Sequence, residues 1–179
     1  IMDELIKGGL KVDEGFTVDP RPIDYANVKC NPLQKLIFNK ILYGMQDSYE
    51  AQLHKLGLKS DKSFTCACYF DEVGNTPKKG DILSWAESSA VVFANSVLGA
   101  RCNRNSGIIE LFGSILGKVP EFDLLTDEGR KAKWIIEVKT TKIPEAQVLG
   151  SAIGMKVMED VPYVKGLDKW IGTELTDDA

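Results

Sequence analysis

No apolar run in this 179-residue chain approaches the ~20 residues needed to cross a bilayer, and the longest, Ala90 to Ala94, is only a core segment. A membrane partner is therefore not expected. Positive charge is not in excess either: 22 Lys and Arg face 26 Asp and Glu, for a formal charge of -4. No nucleic-acid partner is expected, because phosphate backbones need clustered cations and the nearest cluster, Lys78-Lys79 after Pro77, reads as a loop. Histidine is almost missing. His54, the only one, falls in the last turn of an expected helix, where a cation complements the dipole, and no acid–base partner is identifiable nearby. It reads as a surface residue. The four cysteines include no CxxC pair, so a zinc site made from Cys30, Cys66, Cys68 and Cys102 is poorly spaced. No apolar leader precedes them, and the expected compartment is the cytoplasm, with reduced thiols. Internal repeats and low-complexity tracts are also lacking.

What is present is a chain with 44% hydrophobic residues, enough to close a core. It reads as a single domain over 1–179. Because it opens on Ile1 and is already helical in pattern at Met2 to Lys7, it is expected to be an excised part of a larger protein. Gly8-Gly9 stops this first helix, and a short strand is expected to end at Val12. Phe16 to Val18 is expected to pair briefly within a proline-rich loop. Apolar residues from Leu33 to Leu56 recur at three and four, predicting a helix that starts at Asn31 or Pro32, stops at Gly57, and bends or divides near Gly44. Ser63 to Phe70 predicts a buried strand, and Asp71 to Asp81 a loop. Ser106 is expected to cap a helix through Leu116, with Gly117 as its stop. Trp134 to Val138 predicts a strand, and Pro144 opens a further helix in which Gly150 and Gly154 suit close packing. The tail, with its acidic end, is expected to fray. Strands alternating with helices make the fold class α/β, layered, with helices packed on a mostly parallel sheet.

The chemistry gathers between Trp85 and Gly107, WAESSAVVFANSVLGARCNRNSG. The central helix is apolar on nearly every side, which predicts burial. Ser88, Val92, Asn95 and Gly99 share one face, and Ser89, Phe93, Ser96 and Ala100 the next, so hydroxyls and an amide form a stripe that can line a cavity. Equally, the serines can bond back to the preceding turn while Asn95 ties two elements together. In the turn that follows, Arg101, Asn103 and Arg104 stand beside a helix N-terminus at Ser106, a combination that holds a carboxylate or phosphate. Salt bridges to nearby acids, including Glu87, are the competing reading. Cys66 and Cys68, two apart on an expected strand, point to the same face and can reach one metal or rest as buried inert thiols.

Across this region Thr65, Cys66 and Tyr69, then Gly74, Asn75 and Pro77, Gly80, and WAESSAV-x-x-ANSVLGAR-x-NR from Trp85 to Arg104 follow one pattern without gaps over about forty residues. That pattern resembles the catalytic large subunit of aconitase X. The resemblance implies an aconitase-like domain fragment of a hydro-lyase that carries an iron–sulfur cluster and works with a small swivelling subunit. The implied substrate is 5-phosphomevalonate or, alternatively, cis-3-hydroxy-L-proline; a third reading makes the isolated chain a non-catalytic substrate-binding or partner-binding domain. Carried over by motif, Cys66 becomes the cluster ligand, with the other ligands expected outside this chain. Glu87, Ser88 and Ser89 become catalytic candidates, and Asn95, Arg101, Asn103, Arg104 and Ser106 substrate-binding candidates. Two positions depart from the pattern: Cys68 stands where the family has proline, and Cys102 where it has threonine.

Overall fold

The computed structural model describes residues 1–24 and 27–171. Where the sequence suggests one domain, the backbone gathers into two compact units, Ile1–Pro120 and Glu121–Ala179. Each is described by itself.

In the first unit, helix α1 (Met2–Lys7) ends at Gly8. The residues after it form no strand. Instead Val12 is buried, and its N–H donates to the Leu56 carbonyl at 2.7 Å. The helix expected from Leu33 to Leu56 is divided. Asn31 and Gln34 close a reciprocal capping box around α2 (Pro32–Lys35), with Pro32 in the first turn. A wider π-type coil follows over Leu36–Leu42, and after Gly44 the chain restarts as α3 (Gln46–Lys55). Gly44 lies too close to the Lys40 carbonyl for a side chain, at 2.6 Å from the position a Cβ would take, so the division falls there. Leu53, Leu56 and Leu58 are buried at its far end. His54 lies in the last turn, its Nδ1 2.9 Å from the Leu58 carbonyl.

Ser63 to Phe70 is not a strand. Only Phe64 pairs, in an isolated parallel bridge to Val18, which is the brief pairing expected of Phe16 to Val18. The remainder turns, because the Ala67 N–H donates to the Thr65 hydroxyl and Phe70 N–H to the Ala67 carbonyl. Helix α4 (Ser88–Phe93) continues as a π-type turn over Ala94–Leu98 and ends at Gly99, whose φ of 69° is the left-handed conformation that favours glycine. It is not buried all round. Ala90, Val91 and Ala94 form its buried seam, Phe93 and Leu98 are half-buried, and Val92 and Val97 are exposed at 63% and 44%, so the helix is not enclosed on every side. Helix α5 (Gly107–Leu116) ends at Gly117 as expected, again left-handed.

The second unit is a β-α-β unit: β1 (Trp134–Glu137), α6 (Ala146–Val157) and β2 (Pro162–Lys165), the two strands pairing in parallel with Trp134 opposite Pro162. The α/β class is thereby realised with a small parallel sheet. A short α7 (Asp168–Ile171) follows. The sequence reading misses β2, which belongs to the expected tail; the acidic end itself lies outside the described residues. Gly150 and Gly154 are exposed with nothing within 4 Å of an added Cβ, so no close helix approach explains them among the described residues. No described helix is long and apolar enough to cross a membrane.

Candidate active site

A cleft of about 510 Å³ opens within the first unit, lined among others by Thr17, Arg21, Cys68, Ser84, Glu87 and Glu110. One wall is fixed by Arg21. Its guanidinium grips both Glu50 carboxylate oxygens, at 2.8 and 2.9 Å, reaches Asp61 at 2.9 Å, and lies 4.0 Å over the Phe64 ring. The paired acids raise the Arg21 pKa, and Arg21 in turn holds the Glu50 carboxyl below its usual range. This clamp joins the proline-rich loop, α3 and the segment that delivers Cys66.

Glu87 caps the start of α4. One oxygen accepts from the Ala90 N–H and from the Ser89 hydroxyl, both at 2.6 Å, and the other lies 3.4 Å from the Ser88 hydroxyl. The Ser89 bond first, then the backbone donors, keep the Glu87 carboxyl below the ordinary carboxylate range. Ser88 and Ser89 are exposed beside it. Of the predicted site residues Glu87 is the one that lines the cleft.

Asn95 serves the backbone. Its amide donates to the carbonyls of Val91 and Cys102 and accepts from the Cys102 N–H, so it ties the helix to the arginine turn, as one of the two readings expects. The turn itself is anchored at Arg101, whose N–H donates to Asp81 and whose carbonyl accepts from Leu83. Asn103 is buried, Arg104 and Ser106 exposed. Ser106 makes no side-chain cap; the Ile109 and Glu110 N–H groups donate to its carbonyl, and a helix start leaves the Gly107 and Ile108 amides without an intrahelical acceptor.

The cysteines separate by environment. Cys66 is exposed at the bend fixed by Thr65, and the neighbouring Tyr69 stacks on Phe93 of α4 with centroids 4.2 Å apart. Cys68 and Cys102 are buried, and desolvation pushes both thiols up to about 11. The Cys102 thiol lies 3.3 Å from the Asn103 carbonyl and 3.5 Å from the Trp85 carbonyl, so its one S–H has an acceptor within reach. The four-cysteine zinc site does not assemble: among the described residues no three or more His, Cys, Asp and Glu converge as metal ligands. Cys66 fits a single ligand position, since its thiol is exposed; Cys68, two residues on, is turned into the core because the segment bends instead of extending.

Sequence reasoning misses Glu110. It is 4% exposed, and its carboxylate takes the Ser84 hydroxyl at 2.5 Å and the Asn105 side-chain amide at 2.6 Å. The available signal is a lone acid among Ile108, Ile109, Leu111 and Phe112, a charge that burial forces into company.

The geometry defines an α/β protein whose cleft carries a buried carboxylate, Glu110, and a half-buried one, Glu87, that caps a helix start. The chain belongs to the aconitase X family: the family described as the aconitase X first domain matches residues 1–128. A Thermococcus kodakarensis protein named phosphomevalonate dehydratase large subunit is 44% identical over 115 residues, covering 63% of this chain and 29% of that one. An Aeropyrum pernix protein of the same name is 31% identical over 95% of this chain and 42% of its own length. A Pseudomonas aeruginosa cis-3-hydroxy-L-proline dehydratase is 35% identical over 63% of this chain and 20% of its own. The crystal structure of Thermococcus kodakaraensis aconitase X in its holo-form superposes with a TM-score of 0.69 at 35% identity, covering 93% of this chain and 39% of that one. The chain thus spans less than half the length of these relatives.

Proposed function

We propose that this chain is part of an iron–sulfur-dependent hydro-lyase that dehydrates 5-phosphomevalonate to anhydromevalonate phosphate, in the cytoplasm and together with a small swivelling subunit. The observation that carries the choice of substrate is the 44% identity to a relative named phosphomevalonate dehydratase large subunit. When bound, the cluster supplies a Lewis acid for the leaving hydroxyl. Cys66 holds one of its ligand positions, supported by an exposed thiol on a bend that Thr65 and the Tyr69–Phe93 stack hold in place. The remaining ligands come from outside this chain.

Glu87, Ser88 and Ser89 act as one unit. A carboxyl whose pKa is lowered is a weak base near neutral pH. Its contribution is to stay ionised and draw the two serine protons toward itself, which leaves the serine oxygens as acceptors toward the substrate. Arg101, Asn103 and Arg104, with the α5 amides at Ser106, bind the anionic end, and Asn95 holds that turn against α4. Guanidiniums beside helix amides suit phosphate and carboxylate alike.

The complete two-subunit enzyme, assayed directly on 5-phosphomevalonate and on cis-3-hydroxy-L-proline, tests the reading. Turnover of the first alone is expected. The second substrate is favoured by the 35% identity to the bacterial proline-derivative dehydratase, and turnover of it alone selects that reading. The isolated chain, read as a non-catalytic substrate-binding or partner-binding domain, is expected to show no dehydratase activity and to retain no stoichiometric iron and sulfide after anaerobic purification; stoichiometric retention overturns that expectation.

A further inference from the structure

We propose that Glu110 is a positioning residue that sets the anion-binding turn, an inference that rests on the reading of residues 101–106 as the substrate's anion site. Glu110 lies in the first turn of α5 and looks backward along the chain. Its Oε1 accepts from both the side-chain amide of Asn105, at 2.6 Å, and the Asn105 backbone N–H, at 3.3 Å. Its Oε2 accepts from the Ser84 hydroxyl at 2.5 Å, and the same hydroxyl lies 2.9 Å from the Glu110 carbonyl. One buried carboxylate therefore joins three pieces: the end of the arginine turn, the start of α5, and the segment leading into Trp85.

Two further features make this arrangement specific. Ser106 supplies no side-chain cap to α5, so beside the Ile109 and Glu110 N–H bonds to the Ser106 carbonyl, the tie from Glu110 to Asn105 is a side-chain restraint on the entry of the chain into the helix. Gly113, one turn further, lies so close to Ser84 that an added Cβ would meet its hydroxyl at 2.4 Å, so the absence of a side chain there lets α5 approach Ser84 closely enough for the bond. Removing the carboxylate frees Asn105 and lets the turn carrying Asn103 and Arg104 drift. Loss of one hydrogen bond to a charged group weakens the hold on an anion by roughly tenfold to a hundredfold. Glutamine keeps an oxygen for Asn105 and gains a donor for the Ser84 oxygen, so it preserves the tie.

The test uses the complete enzyme with Glu110→Ala, Glu110→Gln and Asn105→Ala, each followed by steady-state kinetics on 5-phosphomevalonate and by hydrogen exchange. Glu110→Ala and Asn105→Ala are expected to raise KM by about tenfold or more with kcat within about threefold, and to speed amide exchange selectively over residues 101–107, while Glu110→Gln stays within about threefold of wild type in both. Faster exchange spread evenly over the chain, or a loosened turn with unchanged KM, overturns the proposal. Asn105→Ala removes the tethered group without leaving a vacant carboxylate site, so it decides the matter if Glu110→Ala does not fold. A wild-type enzyme that turns over neither substrate defeats the dehydratase reading itself; selective loosening of 101–107 then still supports the tie, and its absence refutes it.

Discussion

Asn95 and Cys102 hold each other in both directions across the turn at Gly99: the Asn95 amide donates to the Cys102 carbonyl at 2.8 Å, and its oxygen accepts from the Cys102 N–H at 3.3 Å. Cys102 is fully buried, so no water replaces those bonds if the side chain is removed. The bond pair fixes where α4 ends and where the arginine turn begins.

Asn95→Ala is expected to lower stability by about 1 to 3 kcal/mol, because it strands a buried N–H and a buried carbonyl together. Asn95→Asp keeps the acceptor and loses the donor, and falls between. Urea unfolding of both variants checks the order; equal stability of Asn95→Ala and wild type would contradict the tie.

Glu87 sets a pH dependence. Its folded pKa lies below the ordinary value of 4.5, so its contribution is fully present above that value and is lost as pH falls through the lower, folded one. Unfolding curves for wild type and Glu87→Gln, measured from pH 6 down through about pH 3, are expected to show wild type losing its advantage only on the acid side of about 4.5. Loss of the cap in Glu87→Ala costs about 0.5 to 2 kcal/mol at neutral pH.

Thiol chemistry separates the cysteines. Cys66 is expected to react with an aromatic disulfide reagent in the native protein, while Cys68 and Cys102, buried and with pKa values near 11, react only on unfolding. Mass mapping of the modified chain reads the order. Blocking Cys66 in the complete enzyme is expected to prevent iron incorporation.

Arg21→Ala removes a two-oxygen grip on Glu50, a bond to Asp61 and the contact with Phe64. A loss of about 1 to 2 kcal/mol is expected, the partial exposure of the pair keeping it modest. Arg21→Lys recovers little of it, since an ammonium cannot span both oxygens and cover the ring. Thermal unfolding of the two variants provides the comparison.

Features legible in the sequence are those governed by a few adjacent residues. Asn31 or Pro32 starts a helix, Gly117 ends one because a left-handed residue terminates the turn, and the run from Thr65 to Arg104 marks the family, whereas the helical wheel carries α4 on through Ala100 and misses its stop at Gly99. The strand expected from Ser63 to Phe70 fails for a local reason that composition conceals: Thr65 folds its hydroxyl under Ala67 and bends the chain after a single paired residue. Strand β2 escapes notice because its four residues become a strand only by lying beside β1.

The candidate site divides in the same manner. The sequence by itself determined the helix start at Glu87, the turn of arginines and asparagines, and a cysteine at position 66, because capping groups, glycine stops and motif spacing act over a few residues. Only the tertiary structure decided that Asn95 faces Cys102, that Cys66 is exposed while Cys68 is buried, and that Glu110 is a carboxylate enclosed with Ser84 and Asn105. Burial and cross-chain hydrogen bonds depend on which segment comes to lie opposite, and twenty-six residues separate Ser84 from Glu110.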